Sequence, residues 1–142
     1  MEPIFHVIIP SLILLAFFPK LNKKMVIISA FIVEFLMDAD SLLGVEWHRI
    51  LFHNIFWVML LGVGFWLITK NKEWRNTAWF MAGTHLLFDL RDFGVALLWP
   101  LWNKTVSVLI TISSANKYFF DITLKTFDFG ELRAAVYPWA LL

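Results

Sequence analysis

The chain has 142 residues, a hydrophobic content of 60%, a formal net charge of +1 and no cysteine. Soluble domains average roughly 45–50% apolar residues, so this chain, with a mean hydropathy of +0.72, is composed for contact with a lipid bilayer. Its charges fall in small clusters between apolar runs and form no basic face, so nucleic-acid binding is not indicated. Without cysteine there are neither disulfides nor thiolate ligands, and a transition metal could be held only by imidazole, carboxylate and water.

The N-terminus begins Met-Glu-Pro, lacks a basic leader and shows no small-residue cleavage pattern after Phe18, and it reads as retained. Apolar runs separated by charged residues then set the layout. The first spans Phe5 to Phe18 and closes on Pro19, Lys20, Lys23 and Lys24. The second spans Met25 to Met37 and stops at Asp38-Ala39-Asp40. The third, from Arg49 to Thr69, is the one run long enough to cross a bilayer unaided, and it ends in Lys70, Lys72 and Arg75. The fourth runs from Trp74 to about Leu90, followed by Arg91, Asp92, Gly94 and the short stretch Val95 to Trp99. Beyond Lys104 the pattern weakens: Val106 to Ile112 is β-branched and apolar, and Tyr118 to Leu142 reads as an interfacial helix or an irregular cap. The expected fold is an all-α membrane protein, a compact bundle of about four to five short transmembrane helices. It forms a single multi-pass domain over 1–142, with a motif-bearing core at 5–102 and a less regular segment at 103–142.

Runs of about 13–17 residues rise only about 20–25 Å, short of the roughly 30 Å hydrocarbon core, so their polar ends belong in a protein-lined cavity or a thinned bilayer. If successive helices alternate in direction, the lysine turns fall at one end and the chemistry at the other. His6 opens the first helix, Asp38 and Asp40 close the second, His48, Arg49 and His53 open the third, and His85, Asp89 and Asp92 close the fourth. His85, Asp89 and Asp92 share one helical face, as do Arg49 with His53 and Glu34 with Asp38. Asp38 and Asp40 point to different faces of a helix, so both approach one ion only if the helix ends there. A carboxylate toward the bilayer interior costs about 2.5–3.5 kcal/mol and normally has a partner or a task.

At His6, Asp38-Ala39-Asp40, His48-Arg49-Ile50-Leu51-Phe52-His53-Asn54, His85-Leu86-Leu87-Phe88-Asp89 and Gly94-Val95-Ala96-Leu97-Leu98-Trp99-Pro100, the chain resembles the small bacterial and archaeal proteins called membrane-bound metal-dependent hydrolases, the YdjM-like family. That family shows an early His, Pro-Asp-x-Asp, His-Arg-x-x-Thr-His-Ser, a His-x-x-x-Asp pair closely preceded by Gly, and a closing Gly-x-x-Leu-x-x-Pro. Here Met37 stands for the Pro, Phe52 and Asn54 for the Thr and Ser, and Arg91-Asp92 for small polar residues. The likeness covers about Phe5 to Trp102.

The family is grouped with zinc-dependent phospholipase C and the P1-type nucleases. The resemblance therefore implies one to three zinc ions, or another divalent metal, held by Asp38 or Asp40, His53, His85 and Asp89, with His6 serving a further ion and Arg49 holding an anionic substrate group. Metal-activated water would cleave a phosphoester of a lipid or lipid-linked substrate. Asp40, Asp92 and Glu34 are candidates to orient ligand imidazoles or act as general base, with His48 also near the ligands. The competing account is a non-catalytic membrane protein in which the cluster binds a structural metal or forms a buried His/Asp/Arg network. A transporter would need an inverted repeat, and none is present. Oligomerisation is left open. Lys20, Lys23, Lys24, Lys70, Lys72 and Arg75 outnumber Arg49, Arg91 and Lys104, which predicts a site facing the extracytoplasmic side of the cell membrane.

Overall fold

Four helices carry the apolar runs: α1 (Pro3–Phe17), α2 (Lys23–Met37), α3 (Ile55–Thr69) and α4 (Lys72–Asp89). The computed structural model describes residues 3–44, 49–91, 94–113 and 119–128. Three of the helices start on asparagine caps. The Asn22 side chain accepts from the N–H groups of Lys24 and Met25, Asn54 from Trp57, and Asn71 from Glu73, which satisfies donors that a helix start leaves open. A 3-10 turn, Asp38–Leu43, follows α2 directly. Beyond the helices, β1 (Lys104–Ser113) and β2 (Phe119–Asp128) form an antiparallel hairpin in which Lys104 faces Asp128 and Ser113 faces Phe119.

This architecture overturns the all-α transmembrane bundle. Among the described residues no helix is long and apolar enough to cross a membrane. Helices α1, α2 and α3 have 15 residues each, a rise of about 22 Å. Helix α4 has 18, but it carries Lys72, Glu73, Arg75, His85 and Asp89. The third run is not one long helix because its first residues fold otherwise: Arg49 adopts φ +66°, and Asn54 is extended at φ −141°, ψ 163° and caps α3. The multi-pass layout and the outward-facing site drawn from it lose their basis with that run. The C-terminal segment is corrected as well. Val106 and Val108 alternate with the buried Thr105 and Ser107, a period-two pattern of β-branched residues that pairs as strand. Residues 119–128, expected as interfacial helix or cap, are β2, and 129–142 lie outside the described residues.

Helix α4 packs against each of the other three, and α2 also touches α1. Its inward stripe of Ala78, Met81 and Ala82 meets Val26, Ala30, Val33 and Met37 of α2 and Val58, Leu61 and Phe65 of α3 in one apolar core. The same stripe continues one turn further into His85 and Asp89, both buried. The functional end of the bundle is thus the polar extension of its packing face. The outer faces stay apolar, with Ile4, Leu12, Phe31, Phe35, Leu60 and Ile68 exposed. Helices that are apolar on both sides suit a lipid or protein environment.

A short strap, residues 94–97, ties the hairpin to the helices. Val95 exchanges both backbone hydrogen bonds with Val106, at 3.0 and 2.9 Å, the Ala96 N–H donates to the Arg49 carbonyl at 3.1 Å, and the Leu97 carbonyl accepts from Ile55 at 3.0 Å. The Val108 N–H adds a bond to the Leu90 carbonyl at 2.7 Å. Gly94 makes this approach possible: at φ +79° a Cβ would meet the Val106 carbonyl and the Ser107 side chain. We expect Gly94→Ala to lower the free energy of unfolding by about 1–3 kcal/mol. Denaturant unfolding in detergent would measure this, with faster amide exchange at Val106 and Val108 locating the loss at the hairpin junction.

Candidate metal centre

The end of α1 that carries His6, the end of α2, the 3-10 turn, the loop before α3 and the end of α4 meet at one place. His53 comes from the loop, and that loop is fixed by Asp40. The Asp40 carboxylate is fully buried, and its Oδ2 accepts from the Arg49 N–H at 3.1 Å, the Phe52 N–H at 3.5 Å and His53 Nδ1 at 3.1 Å. Arg49 holds a left-handed backbone, costly for a side chain with a Cβ, because its N–H is bound to Asp40 and its carbonyl to Ala96. His85 projects from α4, and its Nδ1 lies 2.8 Å from Glu34 Oε2 and 2.9 Å from Nδ1 of His6.

These contacts decide the tautomers. An ionised carboxylate can only accept, so Asp40 and Glu34 require the proton on Nδ1 of His53 and His85 respectively. In a neutral ring Nε2 then presents a lone pair, and the two Nε2 atoms face one another at 3.1 Å. Asp89 Oδ2 joins them at 3.1 Å from His53 and 3.3 Å from His85. Asp38 Oδ1 closes the group at 3.5 and 3.6 Å from the same two nitrogens. With both rings neutral these four atoms are all electron-pair donors, and in the charged form of His53 a proton on Nε2 lies among them. An ion with bonds of about 2.0–2.2 Å holds tetrahedral ligand atoms about 3.3–3.6 Å apart; Asp38, His53 and His85 present atoms 3.1–3.6 Å apart and form a group able to hold an ion, and Asp89 Oδ2 lies 3.1 and 3.3 Å from the two imidazole nitrogens. The donor set of two imidazoles and two carboxylates suits zinc or a similar divalent cation.

The electrostatics express the same demand for positive charge. Burial pushes the His53 imidazole toward the neutral form, but Asp38, Asp40 and Asp89 outweigh it and raise its pKa to about 10. Burial likewise works against ionised Asp89, yet His53, His85 and the Arg49 guanidinium hold its carboxyl well below the usual carboxylate range. His6 behaves differently: burial, then repulsion from His85, lowers it to about 4, leaving it neutral. Its Nε2 makes no hydrogen bond and lies 3.8 Å from Asp89 Oδ1. His6, His85 and Asp89 form a second group of donors close enough for an ion. Arg49 Nη2 lies 3.4 Å from Asp89 Oδ1.

Of the residues singled out in the sequence, His6, Glu34, Asp38, Asp40, Arg49, His53, His85 and Asp89 are brought together. His48 and Asp92 lie outside the described residues. Geometry separates the two aspartates that sequence left open: Asp38 faces the four-donor centre, whereas Asp40 sits behind His53, its Oδ2 taken by three donors. Asn54, read in the sequence only as a departure from a family Ser, has a structural duty. Its side chain accepts from Trp57 N–H at 2.9 Å and donates to the Leu51 carbonyl at 2.7 Å, so it starts α3 and closes the His53 loop together. An Asn directly before an apolar run is the signal that marks it.

Fold and site together define a small protein with an apolar exterior, a four-helix core and a buried histidine–carboxylate centre at one end. The chain belongs to the YdjM inner membrane protein family, whose model matches residues 1–141. The match therefore extends well past Trp102, where the motif resemblance stops, and takes in the hairpin. Family membership associates the protein with the inner membrane, in keeping with its exposed apolar faces. No curated protein and no solved structure matches the chain.

The burial of Asp40 gives a direct test of this construction. Asp40→Ala leaves His53 Nδ1 and two backbone N–H groups without their acceptor, and should cost about 3–5 kcal/mol of stability. Denaturant midpoints of the detergent-solubilised variant would measure it, and a loss under 1 kcal/mol would contradict the hub role assigned to Asp40.

Proposed function

We propose that this protein is a membrane-associated, metal-dependent hydrolase that cleaves a phosphoester of a lipid or lipid-linked substrate. One observation carries the reading: His53 Nε2 and His85 Nε2 face one another at 3.1 Å, and Asp38 Oδ1 and Asp89 Oδ2 each lie 3.1–3.6 Å from both, separations that ligands of one ion adopt. The reaction class rests on the resemblance to metal-dependent hydrolases grouped with zinc-dependent phospholipase C.

Bound zinc lowers the pKa of water toward about 7 and polarises a phosphoryl oxygen. The protein's own groups would do the rest. Asp40 and Glu34 hold the Nδ1 protons of His53 and His85, which fixes ring orientation and strengthens the Nε2 donors. Glu34 keeps one oxygen, Oε1, without a hydrogen bond and would take the proton of the attacking water, directly or through a second water, as the phosphoester bond breaks. Arg49, beside Asp89, would hold an anionic oxygen of the substrate. His6, which groups with His85 and Asp89, would serve a further ion.

The alternative, a closed structural site, is disfavoured by Asp38. Its side chain is 32% exposed, against 0% to 4% for His53, His85 and Asp89. A ligand at the rim can yield a position to water or substrate, which a catalytic site requires.

Detergent-purified protein reconstituted with zinc is expected to retain about one ion or more per chain, and His85→Ala or Asp89→Ala to lose most of it. Glu34→Gln and Asp40→Asn should weaken affinity about 10–100-fold. At saturating zinc, Glu34→Gln should still lower turnover of a chromogenic phosphodiester by about 10²–10⁴-fold. Metal content by mass spectrometry decides the first point, and wild-type protein that takes up no ion would sink the hydrolase reading.

A further inference from the structure

A groove of about 560 Å³ runs between α1 and α2, inside the range of about 300–1,000 Å³ that small-molecule sites occupy. Its walls include Ile4 and Ile8 of α1 and Phe31 and Phe35 of α2, and its polar lining includes Glu34 and Asp38. The arrangement follows from helical spacing: Phe31, Glu34, Phe35 and Asp38 lie at i, i+3, i+4 and i+7 on one face of α2. Along that face the surface changes from hydrocarbon-like to acidic, and the acidic end belongs to the four-donor centre. Ile4, Ile8, Phe31 and Phe35 are also exposed to the outside, so the groove is open along its apolar walls, and its acidic end borders the buried centre at Asp38, whose Oδ1 lies 3.5 and 3.6 Å from Nε2 of His53 and His85.

We infer that this groove binds one acyl chain of a membrane glycerophospholipid and brings the lipid's phosphate to Asp38 and the metal centre. An occupant must be apolar along the walls and complementary in charge at the end. A divalent ion held there, with Arg49 beside Asp89, would offset most of the charge of the surrounding carboxylates and offer an anionic phosphate oxygen a positive partner. The apolar exterior and the inner-membrane family supply the source, since a chain entering through an open wall comes from the adjacent leaflet. Placement of the head group rests on the metal reading above. Binding of the chain does not.

The full-length protein in phosphatidylglycerol nanodiscs, doped with phosphatidylglycerol that carries a diazirine in one acyl chain, would be photolysed and its adducts mapped by peptide mass spectrometry. Adducts should concentrate on the peptides containing Ile4 to Ile8 and Phe31 to Leu42. Ile8→Trp should reduce them about tenfold, the loss expected when roughly two buried CH₂ groups of the chain are displaced. Leu60→Trp, on the exposed face of α3, should leave them unchanged and controls for folding. Zinc should raise labelling by the phosphatidylglycerol probe but not by a diacylglycerol probe bearing the same diazirine. Groove labelling in wild-type protein that retains no ion would uphold the chain site while the hydrolase reading fails. Adducts spread evenly over α1 and α3, a second copy of the chain captured in the groove, or insensitivity to Ile8→Trp would overturn the proposal. Equal zinc response of both probes would overturn the placement of the phosphate.

Discussion

The hydrogen bonds from His53 to Asp40 and from His85 to Glu34 are the constraint on which the centre depends. Each carboxylate takes an Nδ1 proton and thereby fixes where the opposite nitrogen's lone pair points. Without those two bonds the imidazoles could donate Nε2–H protons to Asp38 and Asp89 and form an ordinary buried network. With them, neutral rings would leave four lone-pair donors facing one another, so the arrangement calls for positive charge among them. The raised pKa of His53 is how the protein meets that demand with a proton. A divalent cation would meet it in place of that proton.

The rest of the fold holds those two bonds in place. Helix α4 is the central element, and its small residues, Ala78 and Ala82, let α2 and α3 approach closely enough for His85 to reach Glu34 on one side and His53 on the other. Asp40 can serve His53 only because α2 gives way to a 3-10 turn, which swings its carboxylate under the loop while leaving Asp38 facing the centre. The loop itself is short and strained at Arg49. Its carbonyl is tied to Ala96, and the strap containing Ala96 is pinned in turn by β1 through Val95 and Val106. A hairpin remote in sequence thus braces the backbone of the residue beside Asp89.

Much of the site was legible in the sequence because it is encoded locally. The four-residue spacing of His85 and Asp89, the Glu34/Asp38 pair, and the alternation of apolar runs with lysine turns bring these residues to one end without knowledge of any tertiary contact. What the sequence left open depends on long-range bonds. Asp38 and Asp40 are alike in chemistry, and only the three donors that converge on Asp40 Oδ2 separate them. The run from Arg49 to Thr69 reads as one apolar helix, because Ile50, Leu51 and Phe52 continue its hydrophobicity. The competition from Asp40 and Ala96 for backbone groups there is invisible until the fold is known. The hairpin escaped for a related reason: β-branched apolar residues near a bilayer support several structures, and it is the antiparallel pairing of β1 with β2, joined by the bridge from Val106 to Val95, that selects strand.

The outer surface follows a different logic from the centre. A domain that hid all its apolar side chains would have no means of meeting a lipid, whereas this one hides a compact set on α2, α3 and α4 and leaves a second set facing outward. On α2 the two sets alternate around the helix, so Val33 and Met37 face the core, Phe31 and Phe35 face out, and Glu34 and Asp38 occupy the boundary. That boundary is where a group soluble in hydrocarbon at one end and charged at the other would naturally lie. The rim position of Asp38, the open oxygen of Glu34 and the neutral His6 all fall on or beside it. Chemistry placed at such an edge need not move a lipid fully into water, because only its head group has to leave the apolar surface to reach the four donors.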